Sequence, residues 1–116
     1  VCDNEQYRNE YSRSMHGFLT RDGIDPAELR RIGREQLIQY EGVQVQNMNV
    51  IDVLRQDKQF IVVMENEKQV LTRKLLIATG LRDEWPIIEG AQEFYGRSIF
   101  HCPYCDAWEV RNQPLA

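Results

Sequence analysis

At Gly42 the spacing of apolar residues changes, and that change limits the folds open to the chain. Before it, Leu29, Ile32, Leu37 and Tyr40 recur on one helical face, with Arg30, Arg31, Arg34 and Glu35 mostly off it. Asp25 is a good N-cap, Pro26 suits the first helical position, and Glu28 completes a capping-box pattern. A helix is therefore predicted over about residues 26–41, with Gly42 as its stop. After Gly42 the period shortens to two. Val43 and Val45 alternate with Gln44 and Gln46, and Val50, Ile51 and Val53 continue that strand or open another. Phe60-Ile61-Val62-Val63-Met64 is a β-branched strand, Asn66-Glu67-Lys68 a turn, and Val70 to Lys74 the return, which together predict a β-meander. Leu75-Leu76-Ile77-Ala78 is uninterrupted apolar, the pattern of a strand buried on both faces, and it ends at Thr79-Gly80. Asn4 to Asp22 is polar and punctuated by Gly17 and Gly23, which reads as a long loop with a short helical turn.

Size and charge narrow the function. The 116 residues suffice for one small domain. Net charge is -4 and the basic residues are scattered, which argues against nucleic acid, whose phosphates call for a concentrated basic face. No apolar run approaches membrane-spanning length, and the opening residues carry no basic-then-apolar signal. Three cysteines make an odd, low count, unlike a secreted disulfide framework, so a reducing cytoplasm is expected. Val1-Cys2-Asp3 reads as the end of a strand whose beginning is missing, and Pro114-Leu115-Ala116 as the approach to a new apolar segment. Both ends are thus expected to be cut.

The chemistry concentrates in His101-Cys102-Pro103-Tyr104-Cys105-Asp106. Ser98-Ile99-Phe100 leads into it as a short extended segment. Two thiols separated by two residues can close a small disulfide ring or bind a soft metal. Pro103 suits the start of a short helical turn, which would put Cys102 near its positive end and favour the thiolate. An acid beside the second thiol can exchange protons with it. A pair of structural cysteines is the plainer alternative. Zinc would need four ligands. Cys102, Cys105 and His101 offer three, but adjacent His and Cys side chains rarely converge on one ion, so no metal is expected.

Taken together, a strand ending in an acid, a helix, a β-meander, Ala78-Thr79-Gly80, Phe94-Tyr95-Gly96-Arg97 and the CxxC-Asp resemble the thioredoxin-reductase-like flavoproteins. The similarity is greatest to a bacterial branch of NAD(P)/FAD-dependent oxidoreductases. Its members carry runs like Met15-His16-Gly17-Phe18-Leu19-Thr20-Arg21-Asp22-Gly23 and His101-Cys102-Pro103-Tyr104-Cys105-Asp106. The resemblance implies an α/β fold: part of a Rossmann-like, three-layer ββα FAD-binding domain with a β-meander over residues 1–98. Residues 99–116 would hold the redox motif and the start of an NADPH-binding domain. The GxGxxG unit that cradles the pyrophosphate, and the rest of the NADPH domain, would lie outside the chain.

The same resemblance implies residue roles. Cys102 matches the thiol that exchanges with substrate, Cys105 the one that meets the flavin, and Asp106 an acid that shuttles a proton to the pair. Asp3 matches the acid that binds the ribose hydroxyls of the adenosine half. Arg8 and Asn9 match a pair facing the same cofactor. His16 and Gly17 match a loop near the flavin ring, Ile51 a position whose main chain touches adenine, and Thr79-Gly80 a turn whose backbone approaches FAD. Cys2 would sit in a core strand as a small buried hydrophobe. One departure is Ala107, where the family usually has Gly. If that position needs positive φ, Ala would strain the turn by about 1 kcal/mol.

The function implied is flavin-dependent thiol–disulfide exchange. NADPH would reduce FAD, FAD the Cys102–Cys105 disulfide, and the dithiol a disulfide in a thioredoxin-like protein or a small molecule, in a homodimeric enzyme. One alternative is a small-molecule dithiol oxidase of the same fold. Another is a non-catalytic piece that, without the pyrophosphate cradle, binds FAD weakly or not at all and self-associates through exposed strand edges.

Overall fold

The computed structural model describes residues 1–84 and 86–114. They form a mixed α/β arrangement of two compact units, Val1–Gln6 with Leu37–Gly80, and Tyr7–Gln36 with Leu81–Ala116. The apolar start expected at Leu115-Ala116 lies outside the described residues.

The first unit holds the strands. β1 (Cys2–Asp3) pairs in parallel with β2 (Gln46–Asn47), Cys2 opposite Gln46 and Asp3 opposite Asn47. Parallel neighbours need a crossover connection, and the chain between them supplies it with a helix. β3 (Val50–Gln56), β4 (Gln59–Met64) and β5 (Gln69–Thr72) form the predicted antiparallel meander in the order β3-β4-β5. Asp57, at φ 53, turns the first hairpin, a conformation that Asp tolerates better than most residues. In the second, Glu67 at φ 64 follows Asn66, whose Oδ1 accepts the Lys68 amide at 3.1 Å. A bulge separates Val50 from Asp52. The core of this unit lies on the central strand, where Val62 and Met64 are buried, because β4 has a neighbour on each side.

Two expectations fail in this unit, and a third holds only in part. Leu75 to Ala78 forms no strand, and Leu76 is 89% exposed. A two-faced apolar run becomes a buried strand only when partner strands take up its amides and carbonyls, and no strand among the described residues pairs with it. Cys2 does lie in a strand, yet it is exposed, because among the described residues β2 alone pairs with β1. The strand expected from Val43 is also shorter, reduced to Gln46–Asn47.

α1 (Pro26–Ile38) ends before the expected residue 41. Asp25 caps it as predicted, Oδ1 accepting from the Ala27 amide at 2.7 Å and the Glu28 amide at 3.1 Å. The reciprocal half of the capping box is replaced: Glu28 takes Arg31 through both carboxylate oxygens at 2.7 Å. At the other end Tyr40 N bonds Leu37 O and Val43 N bonds Tyr40 O, tight turns that unwind the helix before Gly42. Leu37, Ile38 and Tyr40 stay exposed.

The second unit is mostly loop. Met15 and Ile24 form an antiparallel bridge that closes the loop between them, and Gly17 N donates to Asp22 Oδ1 at 2.7 Å inside it. α2 (Ala91–Phe94) and α3 (Pro103–Asp106) are single turns, and Tyr95 bridges Ile99 in parallel just before the cysteines.

Candidate redox site

The cysteine motif folds as its composition predicts. Cys102 is the extended N-cap of α3, at φ -140 and ψ 109, and Pro103 occupies the first turn, where its missing N–H is not needed. The amides of Cys105 and Asp106 both bond Cys102 O at 3.2 Å. This turn sets the Cα atoms of Cys102 and Cys105 5.3 Å apart, and their sulfurs are joined. Both cysteines are partly exposed, so burial does not rank one sulfur above the other. Ala107 adopts φ -70 and ψ -19. The position needs no positive φ, and the strain considered for Ala does not arise.

Asp106 is the buried member of the motif, 8% exposed. Its Oδ1 accepts from Ser12 Oγ at 2.9 Å, and Ser12 is itself buried. Burial without a partner would penalise a carboxylate by several kcal/mol, and the serine hydroxyl offsets part of that cost. Nothing in the sequence pointed to Ser12, one of two serines in a polar loop.

The other flank is held as well. His101, only 11% exposed at its side chain, shares a 2.6 Å hydrogen bond between Nδ1 and the Tyr95 hydroxyl. Its Nε2 lies 4.0 Å from Asp83 Oδ2. Asp83 in turn receives Arg8 Nε at 2.8 Å and Nη2 at 2.9 Å. That fork holds the Asp83 carboxyl below its ordinary range, chiefly through the Arg8 hydrogen bonds. Desolvation, followed by the charges of Asp83 and Asp106, raises the Tyr95 phenol. The Tyr95 ring meets Tyr11 edge-on, with centroids 4.9 Å apart. Gly96, at φ 73, lies so close to Tyr11 that a Cβ there would come within 2.7 Å of the tyrosine Cβ.

A further cluster ties the 15–24 loop to the segment after the cysteines. His16 Nε2 donates to Glu109 Oε1 at 2.8 Å, and Ser14 Oγ donates to the same oxygen. His16 Nδ1 lies 3.8 Å from Asp22. The hydrogen bond to Glu109 leads in raising the His16 imidazole, and the Ser14 hydrogen bond leads in lowering the Glu109 carboxyl.

The predicted cofactor residues divide between the two units. In the first, Asp3 ends β1 with Oδ1 accepting the Glu5 amide at 3.0 Å. Ile51 is exposed on β3, and Thr79-Gly80 is exposed, with Gly80 at φ 69 and open space where a Cβ would stand. In the second, Arg8 is engaged by Asp83, and Asn9 Oδ1 accepts from Arg30 Nη1 at 3.1 Å. Arg30 lies 3.8 Å over the Tyr7 ring and Arg34 donates to the Tyr7 hydroxyl at 2.8 Å, so this charged face of α1 is partly engaged by protein. Gly17 takes φ 77 in open space. Among the described residues there is no group of three His, Cys, Asp or Glu side chains placed to hold a metal ion.

No protein-family profile matches the chain. Individual proteins do. A protein of Arthroderma benhamiae named "Probable thioredoxin reductase" is 34% identical over 99% of this chain and 30% of its own length. Thioredoxin reductase sirT of Leptosphaeria maculans is 32% identical over 100% of this chain and 36% of its own. The crystal structure of TrxB from Bacillus anthracis, assigned as a thioredoxin reductase, superposes with a TM-score of 0.89 at 39% identity, over 98% of this chain and 38% of that one. The chain thus spans about a third of the length of the proteins it matches. Matches that run from one end of the chain to the other, in fold and in sequence alike, make it similar to a segment of the thioredoxin-reductase-like proteins.

Proposed function

We propose that this chain is the segment of a flavin-dependent thiol–disulfide oxidoreductase that carries the redox-active disulfide. The observation that carries the reading is the Cys102–Cys105 bond closed within one turn, beside a buried carboxylate. In the reduced enzyme, the Cys102 thiolate attacks a sulfur of the substrate disulfide and forms a mixed disulfide, expelling one substrate thiolate. Cys105 then attacks the Cys102 sulfur and expels the second, so the Cys102–Cys105 bond re-forms and the substrate leaves as a dithiol. Asp106 holds or passes the proton that Cys105 gives up.

FAD, when bound, supplies the two-electron link between a nicotinamide and this disulfide. The first unit's residues fit such a group. Asp3 stands at the end of a parallel strand, where an acid meets ribose hydroxyls. Gly80 presents a left-handed backbone in open space. Arg8, Asn9 and His16 fit less well, since each already holds a protein partner. NADPH as donor, and a thioredoxin-like protein or small-molecule disulfide as acceptor, follow from the family reading. So do a homodimeric state and a cytoplasmic location. No helix among the described residues is long and apolar enough to cross a membrane.

The test uses the full-length protein with its flavin. NADPH oxidation on adding a disulfide substrate should be lost in both C102S and C105S, and C102S alone should fail to form the mixed disulfide with substrate. Turnover that survives in either variant contradicts the assignment.

A further inference from the structure

The motif is anchored on both sides, and the two anchors meet. Before Cys102, His101 is fixed by the Tyr95 hydroxyl at 2.6 Å. After Cys105, Asp106 is fixed by the Ser12 hydroxyl at 2.9 Å. Ser12 follows Tyr11, whose ring packs on that of Tyr95 at 4.9 Å. Gly96, next to Tyr95, abuts the Tyr11 side chain so closely that no Cβ fits. Tyr11, Ser12, Tyr95, Gly96, His101 and Asp106 line one narrow crevice. A loop far upstream in sequence therefore bridges the residue before the first thiol and the residue after the second.

From this ring of contacts we infer that Ser12 and Tyr95 are positioning residues that keep the two thiols of the reduced motif within reach of each other. The inference rests on the proposed redox role of Cys102 and Cys105. A dithiol closes to a disulfide more readily when its sulfurs are already confined, because confinement raises their effective concentration. Each hydroxyl bonds a residue that flanks one of the cysteines. They act through His101 and Asp106, restricting the turn from both ends. Removing either one loosens the reduced turn and makes the disulfide easier to reduce. A lost hydrogen bond of this kind corresponds to about a tenfold change in an equilibrium constant, and tenfold in a two-electron couple is about 30 mV.

The experiment equilibrates the full-length protein with mixtures of reduced and oxidised dithiothreitol. In that exchange the two dithiothreitol thiols break the Cys102–Cys105 bond, supplying two electrons and two protons, and leave as the cyclic disulfide. The fraction reduced is read by thiol alkylation and mass, and folding by the urea midpoint. S12A and Y95F should each shift the constant about tenfold toward the dithiol, and S12T, which keeps a hydroxyl, should restore it. A constant in Y95F equal to that of the parent overturns the inference. Y95F removes only a hydroxyl, so it also decides the matter should S12A fail to fold. Because dithiothreitol acts on the thiols directly, failure of NADPH to reduce them would count against the proposed function without touching this constant.

Discussion

Gly96→Ala carries two penalties that the structure separates. The residue sits at φ 73, so any L side chain adopts a left-handed backbone there, at about 1–2 kcal/mol. Its new Cβ would stand 2.7 Å from Tyr11 Cβ, 3.1 Å from Cγ and 3.2 Å from Cδ1. The nearest of these atoms is the root of the side chain, which cannot swing away by changing rotamer. Forcing an atom into such a gap costs about 1–3 kcal/mol more. Gly23→Ala provides the reference, because Gly23 has φ 77 and nothing within 4 Å of an added Cβ. Urea denaturation of both variants should therefore show G96A less stable than G23A by the steric share alone, about 1–3 kcal/mol. If the two variants lose equal stability, the close approach of Gly96 to Tyr11 does not exist, and one side of the crevice around the redox turn is misplaced.

Three further outcomes follow from single contacts. Hydrogen bonding to Glu109 raises the His16 imidazole above its ordinary 6.5, so the stability it lends is fully present below pH 6.5 and is lost as pH rises through the raised value. Glu109 is lowered below its ordinary 4.5, so its share is present above pH 4.5 and fades as pH falls through the lowered value. The clasp is thus strongest between these limits, and H16Q should flatten the alkaline leg of a melting-temperature profile while an NMR titration of the parent places the imidazole above 6.5. Asp25→Ala removes the acceptor for two N-terminal amides of α1 and should lower stability by about 1 kcal/mol in denaturant titrations. In the full-length flavoprotein, D3A should weaken FAD retention on dilution, whereas R8A should act chiefly through Asp83 and be reproduced by D83A; equal flavin loss in R8A and D3A, with none in D83A, would show Arg8 to be a direct cofactor contact.

What the sequence made legible was local. The helix start at Asp25-Pro26, the meander through Phe60–Met64 and the turn at Asn66–Lys68 are written in neighbouring residues, and all three are present. The cysteine turn was legible for the same reason, since Pro103 and the thiol spacing fix its geometry. Partnership at long range was not. Leu75 to Ala78 has the composition of a buried strand, but strand formation depends on neighbours that composition cannot supply. Ser12 and Asp83 sit 94 and 75 residues from the groups they bind, Asp106 and Arg8, with no periodicity to announce them. At Ala107 the condition for strain, a positive φ, is not met, since the turn takes φ -70 there.

Alkylation of the full-length flavoprotein before and after NADPH, read by peptide mass, reaches the central assignment most directly. The two added labels should fall on Cys102 and Cys105, with Cys2 labelled to the same extent in both samples. Cysteines 102 and 105 that stay unlabelled after NADPH has bleached the flavin would mean that electrons leave the cofactor by another route.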